Sequence, residues 1–270
     1  MPESRRKRIM LQVEYDGTDF AGWQLQPDER SVQGTLEQAL ESLFSQRVRV
    51  HGAGRTDAGV HALGQVAHFD METHLDADTL RRALNSELPA DVSIRDAREA
   101  DTDFHSRFSA SSRAYVFTVA HERVSLERRQ QWIVYPEVDH VRIREAVRHL
   151  AGTHDFTAFS KYTPDQPHHF CHVFETDWAA GERISRFRIR ANRFLQGMVR
   201  CMVGGLIQVG RGRLTSAQFG DILASRDRSR APMLAPPHGL ILTDVRYDET
   251  ERAVVTDIMR RLAEEGQGSA

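Results

Sequence analysis

Glycines crowd around one acidic side chain between residues 52 and 65. The stretch reads Gly-Ala-Gly-Arg55-Thr56-Asp57-Ala58-Gly59-Val60-His61-Ala62-Leu63-Gly64-Gln65. Glycine lets the backbone adopt positive φ and lets other groups approach closely, so the pattern predicts that Asp57 is presented on a tight turn. The neighbouring Arg55 could hold such a carboxylate ionised and oriented. A polar turn with a local contact between Arg55 and Asp57 is the structural alternative.

A carboxylate on such a turn can act as a nucleophile, as a base or as a stabiliser of developing positive charge. Desolvation in a dry cleft favours the neutral acid unless a cation lies nearby, and Arg55 and Arg200 are the candidate cations. Tyr115 has a ring that could stack on a base and a hydroxyl that could move a proton, directly or through water. A tyrosine of the core is the alternative interpretation of Tyr115.

The distribution of charge indicates a polyanionic partner. The 270-residue chain has a formal net charge of −2 and 40% hydrophobic residues. Residues 181–230 nevertheless contain eleven arginines and three acidic residues, a local excess of eight positive charges that is consistent with nucleic-acid binding. The alternate spacing of arginines in the strand predicted over 184–191 places them in a stripe on one face, which is either a binding track for RNA or a solvated face of the sheet. The stripe consists of Arg186, Arg188 and Arg190, followed by Arg193.

Several classes of protein are disfavoured by the sequence. No segment is apolar for long enough to span a bilayer, and the N-terminal residues lack a signal-peptide core. Only Cys171 and Cys201 could form disulfides, so we expect a cytoplasmic protein. The stretch His168-His169-Phe170-Cys171-His172 holds four potential metal ligands. They lie too close together to complete a tetrahedral site, and a second cluster is absent, so we expect no metal.

The periodicity predicts two copies of one supersecondary unit. Strands are expected at residues 8–15, 47–51, 63–69 and 92–97, with helices after Ser31 and over 77–88, in the strand-helix-strand-strand-helix-strand order of ferredoxin-like units. The second half repeats this order with longer loops, in strands at 108–119, 172–178, 184–191 and 239–247 and helices at 141–150, 194–209 and 217–223. A terminal helix is expected at about 251–264.

The predicted fold is α+β, with two similar ferredoxin-like, RRM-like α/β-sandwich domains that have antiparallel sheets. We assign residues 1–105 to the N-terminal domain, 106–248 to the C-terminal domain and 249–270 to a C-terminal helix and tail. Sites commonly form in clefts between domains, so we expect an active-site cleft between the two halves. The architecture permits the Asp57 loop of the first half to meet Tyr115 and Arg200 of the second.

The Asp57 loop resembles the signature of the tRNA pseudouridine synthase A family. The matching residues of the loop are Gly54-Arg55-Thr56-Asp57-Ala58-Gly59-Val60-His61-Ala62. Other segments are similar to the family's pattern in order along about residues 9–247, namely Glu14-Tyr15-Asp16-Gly17-Thr18-Asp19-Phe20-Ala21-Gly22-Trp23-Gln24, Phe104-His105-Ser106-Arg107-Phe108-Ser109-Ala110, Arg113-Ala114-Tyr115, Gly152-Thr153-His154-Asp155-Phe156, Met198-Val199-Arg200, Val209-Gly210-Arg211-Gly212 and Ala235-Pro236-Pro237-His238-Gly239-Leu240.

The resemblance implies an enzyme that isomerises uridine to pseudouridine at positions 38–40 of the tRNA anticodon stem-loop. It implies no metal, no organic cofactor, and a homodimer in which one tRNA contacts both subunits. Asp57, Tyr115 and Arg200 would be catalytic, with Arg200 paired to Asp57. Arg55, Tyr115 and Leu240 would bind substrate, with Arg55 positioning RNA, although Leu240 by its pattern alone is a core residue.

One segment departs from the family's pattern. Gln196-Gly197 stands where family members often carry bulkier polar or aromatic residues. Gly197 falls within the helix predicted over 194–209, where glycine costs about 1 kcal/mol relative to alanine. We therefore expect Arg200, rather than Gln196, to serve the site.

Two other functions are open on the residues alone. A non-catalytic RNA-binding protein on duplicated RRM-like sheets would carry aromatic RNP motifs, which the sequence lacks, and would leave Asp57 without a purpose. A hydrolase of glycosides would need a second carboxylate at a suitable separation from Asp57, and no obvious partner stands out. Incubation with unmodified tRNA separates the three functions by whether pseudouridine, a complex alone or free uracil is found.

Overall fold

The computed structural model describes residues 5–136, 138–161 and 168–267 of the chain. The strands are β1 (Arg5–Tyr15), β2 (His51–Gly52), β3 (His61–Thr73), β4 (Val92–Ala100), β5 (Ser112–Ala120), β6 (Trp132–Ile133), β7 (Gly152–Asp155), β8 (Phe170–Ala179), β9 (Ile184–Ala191) and β10 (Leu240–Arg246). The helices are α1 (Val32–Phe44), α2 (Ala77–Glu87), α3 (His140–Val147), α4 (Met198–Gly210), α5 (Ser216–Ser225) and α6 (Glu249–Gln267). The ends of the predicted segments 1–105 and 249–270, at residues 1–4 and 268–270, lie outside the described residues.

Local sequence signals account for most of the helices. The Ser31 hydroxyl accepts a hydrogen bond from the Gly34 amide at 3.2 Å and caps α1, whose Leu36 and Leu40 are fully buried. Asp76 caps α2 in the same way through the Thr79 amide. A polar cap followed by apolar residues at helical spacing is the signal from which these two helices were predicted.

Every strand in the described ranges belongs to one sheet of order β4-β1-β3-β10-β5-β9-β8-β7, with β2 paired to β3 and β6 paired to β5. The first half contributes β4-β1-β3-β2 and the second half β10-β5-β9-β8. With β6 and β7 left aside, the two halves have the same strand order when the strands of each half are numbered along the chain. Pairing is antiparallel except between β3 and β10 and between β5 and β6. The predicted α+β class with antiparallel pairing is confirmed.

The two halves share their sheet through the parallel pairing of β3 with β10. Ile241 lies opposite His61, and Leu242 lies opposite Ala62. Gly64 allows the close crossing, because a Cβ atom at this position would lie 2.4 Å from the carbonyl oxygen of Thr243. The Asp57 loop therefore enters β3 at the junction of the halves, and the domain boundary near residue 105 stays a prediction.

The helix predicted over 194–209 begins later than its pattern indicates. α4 starts at Met198, and Gly197 precedes it with φ of 73°, in the left-handed region that favours glycine. The expectation that Gly197 weakens a helix is wrong, because Gly197 lies before the helix and supplies its entry. The strand predicted over 47–51 is also wrong in extent, since only the short β2 forms there, and β6 and β7 were not predicted.

Candidate active site

The turn that carries Asp57 lies between β2 and β3. The Val60 amide donates a hydrogen bond to the Asp57 carbonyl at 3.2 Å and closes the turn, and Gly59 within it has φ of 76°. The predicted tight turn is therefore confirmed. Its left-handed position is at Gly59, where glycine avoids the steric penalty of other residues.

Other residues of the first half contact Thr56 and so hold the turn in place. The Tyr15 hydroxyl and the Thr56 hydroxyl are 2.8 Å apart in a buried hydrogen bond. The Trp23 amide donates to the Thr56 carbonyl at 3.1 Å. Gly22 packs so closely that a Cβ atom there would lie 2.6 Å from the same carbonyl oxygen. Contacts to both the hydroxyl and the carbonyl of Thr56 thus fix the backbone that presents Asp57.

Arg200 is the cation that reaches Asp57. Its Nη1 lies 3.0 Å from Oδ2 of Asp57, across 143 residues of sequence. Nε of Arg200 donates to the Ala235 carbonyl at 2.8 Å, and the Ala235 amide donates back to the Arg200 carbonyl at 3.0 Å. The two side chains are only 17% and 27% exposed, so this pair is less screened by solvent than a surface salt bridge.

Arg55 does not pair with Asp57. Its side chain is exposed, and no ion pair or hydrogen bond engages its guanidinium in the part of the chain that the structure describes. The alternative of a local Arg55–Asp57 contact is therefore wrong. Of the two candidate cations, the distant one holds the carboxylate and the adjacent one stays available to a ligand.

Tyr115 lies on β5 with 7% of its surface exposed. Its ring meets Phe194 edge-on, with centroids 5.0 Å apart. Burial raises the pKa of Tyr115 well above its usual range, and the neighbouring Tyr15 raises it further. The positive charge of Arg113 opposes this shift, and the negative charge of Asp57 adds a smaller increase. Tyr115 is therefore a protonated phenol at neutral pH, and Asp57 is close enough to influence it electrostatically.

Leu240 is the first residue of β10 and is buried opposite Phe117. The segment just before it packs on the Asp57 turn, because a Cβ atom at Gly59 would lie 2.9 Å from Cγ of Pro237. Leu240 is thus a core residue of a strand that starts beside the site. Its role toward substrate stays a prediction.

Two arginines of the predicted β9 stripe, Arg188 and Arg190, lie beside carboxylates. Arg190 is buried and forms ion pairs with Glu175 of β8 and Glu251 of α6. Arg188 is exposed but lies 3.7 Å from Asp177. Interpreting Arg190 as part of an RNA track is wrong, because acidic side chains from the neighbouring strand and helix occupy it. Periodicity within β9 placed these arginines on one face but could not show what faces them.

Sequence reasoning gave Arg113 no role beyond its place in a motif. Its guanidinium is buried and donates to the carbonyls of Ala53 at 2.8 Å, Asn192 at 2.9 Å and Arg107 at 2.7 Å. Burial lowers its pKa, and the positive charges of Arg107 and Arg193 lower it further. Arg113 therefore ties the start of the Asp57 loop to the second half. The available signal in the sequence was an arginine within a mostly apolar strand pattern.

The stretch from His168 to His172 forms no metal-binding group within the described residues. Nδ1 of His172 is hydrogen-bonded with the Thr153 hydroxyl at 2.8 Å. Cys171 is buried and free, and burial raises the pKa of its thiol to about 12. In the part of the chain that the structure describes, no helix is long and apolar enough to cross a membrane.

An α+β protein with one arginine-held carboxylate beside a buried, protonated tyrosine is equipped for catalysis by a carboxylate. The model of the tRNA pseudouridine synthase family matches residues 11–109 and 146–248 of the chain. The chain belongs to the tRNA pseudouridine synthase family.

Curated relatives agree with this assignment. A tRNA pseudouridine synthase A of Chloroflexus aurantiacus is 47% identical over 248 residues, covering 89% of each chain. One from Bacteroides thetaiotaomicron is 40% identical over 262 residues, covering 94% of this chain and 97% of the relative. Among solved structures, a Cbf5-Nop10-Gar1 complex matches with a TM-score of 0.37 and 11% identity over 89% of this chain and 60% of that chain, a likeness too weak to carry an argument.

Proposed function

We propose that Asp57 is the catalytic carboxylate of an isomerase that converts uridine to pseudouridine at positions 38–40 of the tRNA anticodon stem-loop. The 3.0 Å pair between Arg200 and Asp57 carries this proposal, because it places an oriented carboxylate on the glycine-framed turn of a family member. The reaction breaks the bond between the ribose carbon and the uracil nitrogen. It then joins the same ribose carbon to a ring carbon of the uracil. That ring carbon loses a proton and the freed nitrogen gains one, so the product is an isomer of the substrate.

Asp57 serves this reaction as a nucleophile, as a base at the ribose or as a stabiliser of positive charge on the sugar. The guanidinium of Arg200 offsets the loss of solvation that the carboxylate suffers when RNA closes the site. Because Arg200 is itself held by the Ala235 carbonyl, the pair keeps its geometry without substrate. Preorganised charges of this kind need not reorient during the reaction.

Tyr115 contributes a ring and a neutral hydroxyl. Because burial raises the pKa of Tyr115, its hydroxyl is protonated before the reaction. It can therefore transfer a proton only by giving up its own proton while accepting another, directly or through water. The ring lies edge-on to Phe194 and supplies a surface on which the uracil can stack. Leu240 completes the apolar side of this base pocket.

A uridine paired in a stem must leave the stack before a carboxylate can reach it, at a cost of a few kcal/mol. Arg55 is exposed and unpaired within the described ranges, so it can offset this cost by contacts to RNA. Phosphate contacts of this kind make the affinity for tRNA fall with salt concentration. A homodimer in the cytoplasm belongs to the same proposal, on the strength of family membership, and sedimentation equilibrium tests the dimer.

The test measures pseudouridine formed in a single turnover on unmodified tRNA, with tRNA binding measured separately. Asp57→Asn should bind tRNA and form no product. Arg200→Ala should lose about 10²–10³-fold in rate with smaller loss of affinity, in line with removal of one preorganised donor. Arg55→Ala should weaken binding and reduce the salt dependence by about one counterion.

Three outcomes would contradict the proposal. Binding without isomerisation by the unaltered protein would favour the non-catalytic RNA-binding alternative. Release of free uracil would indicate hydrolysis. Loss of binding in Arg200→Ala with the chemical step intact would reverse the assignment of Arg200 and Arg55.

A further inference from the structure

An aromatic side chain projects into solvent from the loop between β4 and β5. Phe108 is 74% exposed, although an apolar ring gains free energy when it is buried. The guanidinium carbon of Arg107 lies 5.7 Å from the centroid of this ring. A lone exposed apolar residue needs no explanation, but an aromatic ring beside an arginine is the pairing that single-stranded nucleic acids contact.

The loop holds Phe108 in this position. The amide of Phe108 donates to Nδ1 of His105 at 3.3 Å, and their rings lie 4.4 Å apart. The Ser109 amide donates to the His105 carbonyl at 2.8 Å. Tyr247 donates through its hydroxyl to the Ser106 carbonyl at 2.9 Å. The ring is therefore presented on a fixed backbone, which reduces the ordering cost of binding a ligand.

Arg113 places this loop next to the loop of Asp57. The same Nη2 atom of Arg113 donates to the carbonyls of Arg107 and Ala53, at 2.7 and 2.8 Å. Those two carbonyl oxygens are therefore no more than about 5.5 Å apart, and Ala53 precedes Arg55 by two residues. Nη1 of Arg113 binds the carbonyl of Asn192, the neighbour of Arg193.

The charges around this junction are not balanced. Within the described residues no carboxylate pairs with Arg55, Arg107 or Arg193, in contrast to Arg190 of the neighbouring strand. Burial is the main cause of the lowered pKa of Arg113, and the positive charges of Arg107 and Arg193 lower it further, so both repel the guanidinium of Arg113. A polyanion would relieve this repulsion, and arginine suits both phosphate and the face of a base.

We propose that Arg107 and Phe108 form a stacking platform for an unpaired nucleobase of tRNA, with Arg107 on an adjacent phosphate and Arg55 and Arg193 flanking the same strand. The platform lies beside the Asp57 loop and specifies the single-stranded part of the substrate. This inference rests on the proposed function for the identity of its ligand.

Binding of a labelled anticodon stem-loop RNA tests the platform in Asp57→Asn protein, where turnover does not interfere. Phe108→Leu keeps apolar volume without an aromatic face and should weaken binding about 5- to 150-fold, whereas Phe108→Tyr should bind as the parent does. The difference should vanish on a blunt, fully paired duplex of equal length. Val141→Ala, which truncates a 63% exposed residue of α3, is the matched control and should bind like the parent.

Phe108→Trp supplies a readout that a structural role would not affect. Its added tryptophan emission should be quenched by the stem-loop RNA and unchanged by the duplex. Equal affinity of Phe108→Leu and parent, or unquenched emission at saturation, would refute the platform. These measurements need no turnover, so the platform and the proposed isomerase can fail separately. If binding depends on Phe108 but the unaltered protein makes no pseudouridine, the proposed isomerase is refuted and the platform is retained.

Discussion

Replacing Gly22 with alanine should disable the site without touching any group that takes part in the reaction. Gly22 has φ of 109°, a conformation that side-chain-bearing residues rarely adopt, so the substitution alone costs about 1–3 kcal/mol. The new Cβ atom would lie 2.6 Å from the Thr56 carbonyl oxygen and 3.2 Å from the Asp57 carbonyl carbon. Both of these are backbone atoms, which cannot rotate away as the end of a side chain can.

The size of the effect follows from this contact. Restoring an ordinary separation of 3.4 Å requires Gly22 and Thr56 to move apart by about 0.8 Å. Misplacement of a reacting group by about 1 Å can cost about 10²-fold in rate. We therefore expect Gly22→Ala to lower the single-turnover rate of pseudouridine formation by about 10²-fold at saturating tRNA. Urea unfolding should show a stability lower by about 1–3 kcal/mol.

The Asp57 loop supplies its own control. A Cβ atom at Gly54 would meet nothing within 4 Å, and the φ of Gly54 lies outside the left-handed region. Gly54→Ala should therefore keep the rate and the stability of the parent. A Gly22→Ala protein that turns over like the parent, or a Gly54→Ala protein as slow as Gly22→Ala, would refute the reasoning that Gly22 positions Asp57.

Three further predictions concern pH, proton transfer and charge pairing. Burial, aided by His105, lowers the pKa of His68 to about 4, so this side chain binds more protons in the unfolded chain than in the folded protein between about pH 4 and about pH 7. His68 should therefore contribute a loss of stability of about 2 kcal/mol from about pH 7.5 to about pH 5, and urea unfolding of His68→Gln should show a fall smaller than that of the parent by this amount. Tyr115→Phe should keep tRNA affinity and lose about 10²-fold in single-turnover rate, and an unchanged rate would exclude its hydroxyl from proton transfer. Arg190→Ala removes the buried guanidinium that pairs with Glu251 and should lower the free energy of unfolding by about 2 kcal/mol. If the folded variant instead loses affinity for tRNA, Arg190 belongs to the RNA-binding surface after all.

Elements built from neighbouring residues were predictable. α1 and α2 follow from a polar cap and apolar residues at helical spacing, and β9 spans residues 184–191 as its alternation indicates. The signals fail where a conformation is set by packing. Gly197 continues the apolar pattern of α4 but adopts a left-handed φ before it, and β2 is shortened to the two residues that pair with β3.

The site likewise has one part that follows from neighbouring residues and one part that depends on packing. The glycine-framed turn of Asp57 is encoded within a dozen residues, because its hydrogen bond and its positive φ at Gly59 are local. The partner of that carboxylate is not local. Arg55 is two residues away and Arg200 is 143 residues away, yet Arg200 makes the contact.

Long-range strand pairing explains that choice. The pairing of β3 with β10 joins the two halves beside the Asp57 loop and brings in the segment at Ala235 that holds Arg200. The same kind of contact removes Arg190 from the RNA surface by placing Glu251 against it. Spacing along a chain records which side chains share a turn or a face. Which distant groups then meet depends on how those faces pack, so Asp57 could be read from the residues around it, whereas its pairing with Arg200 had to be found in the folded molecule.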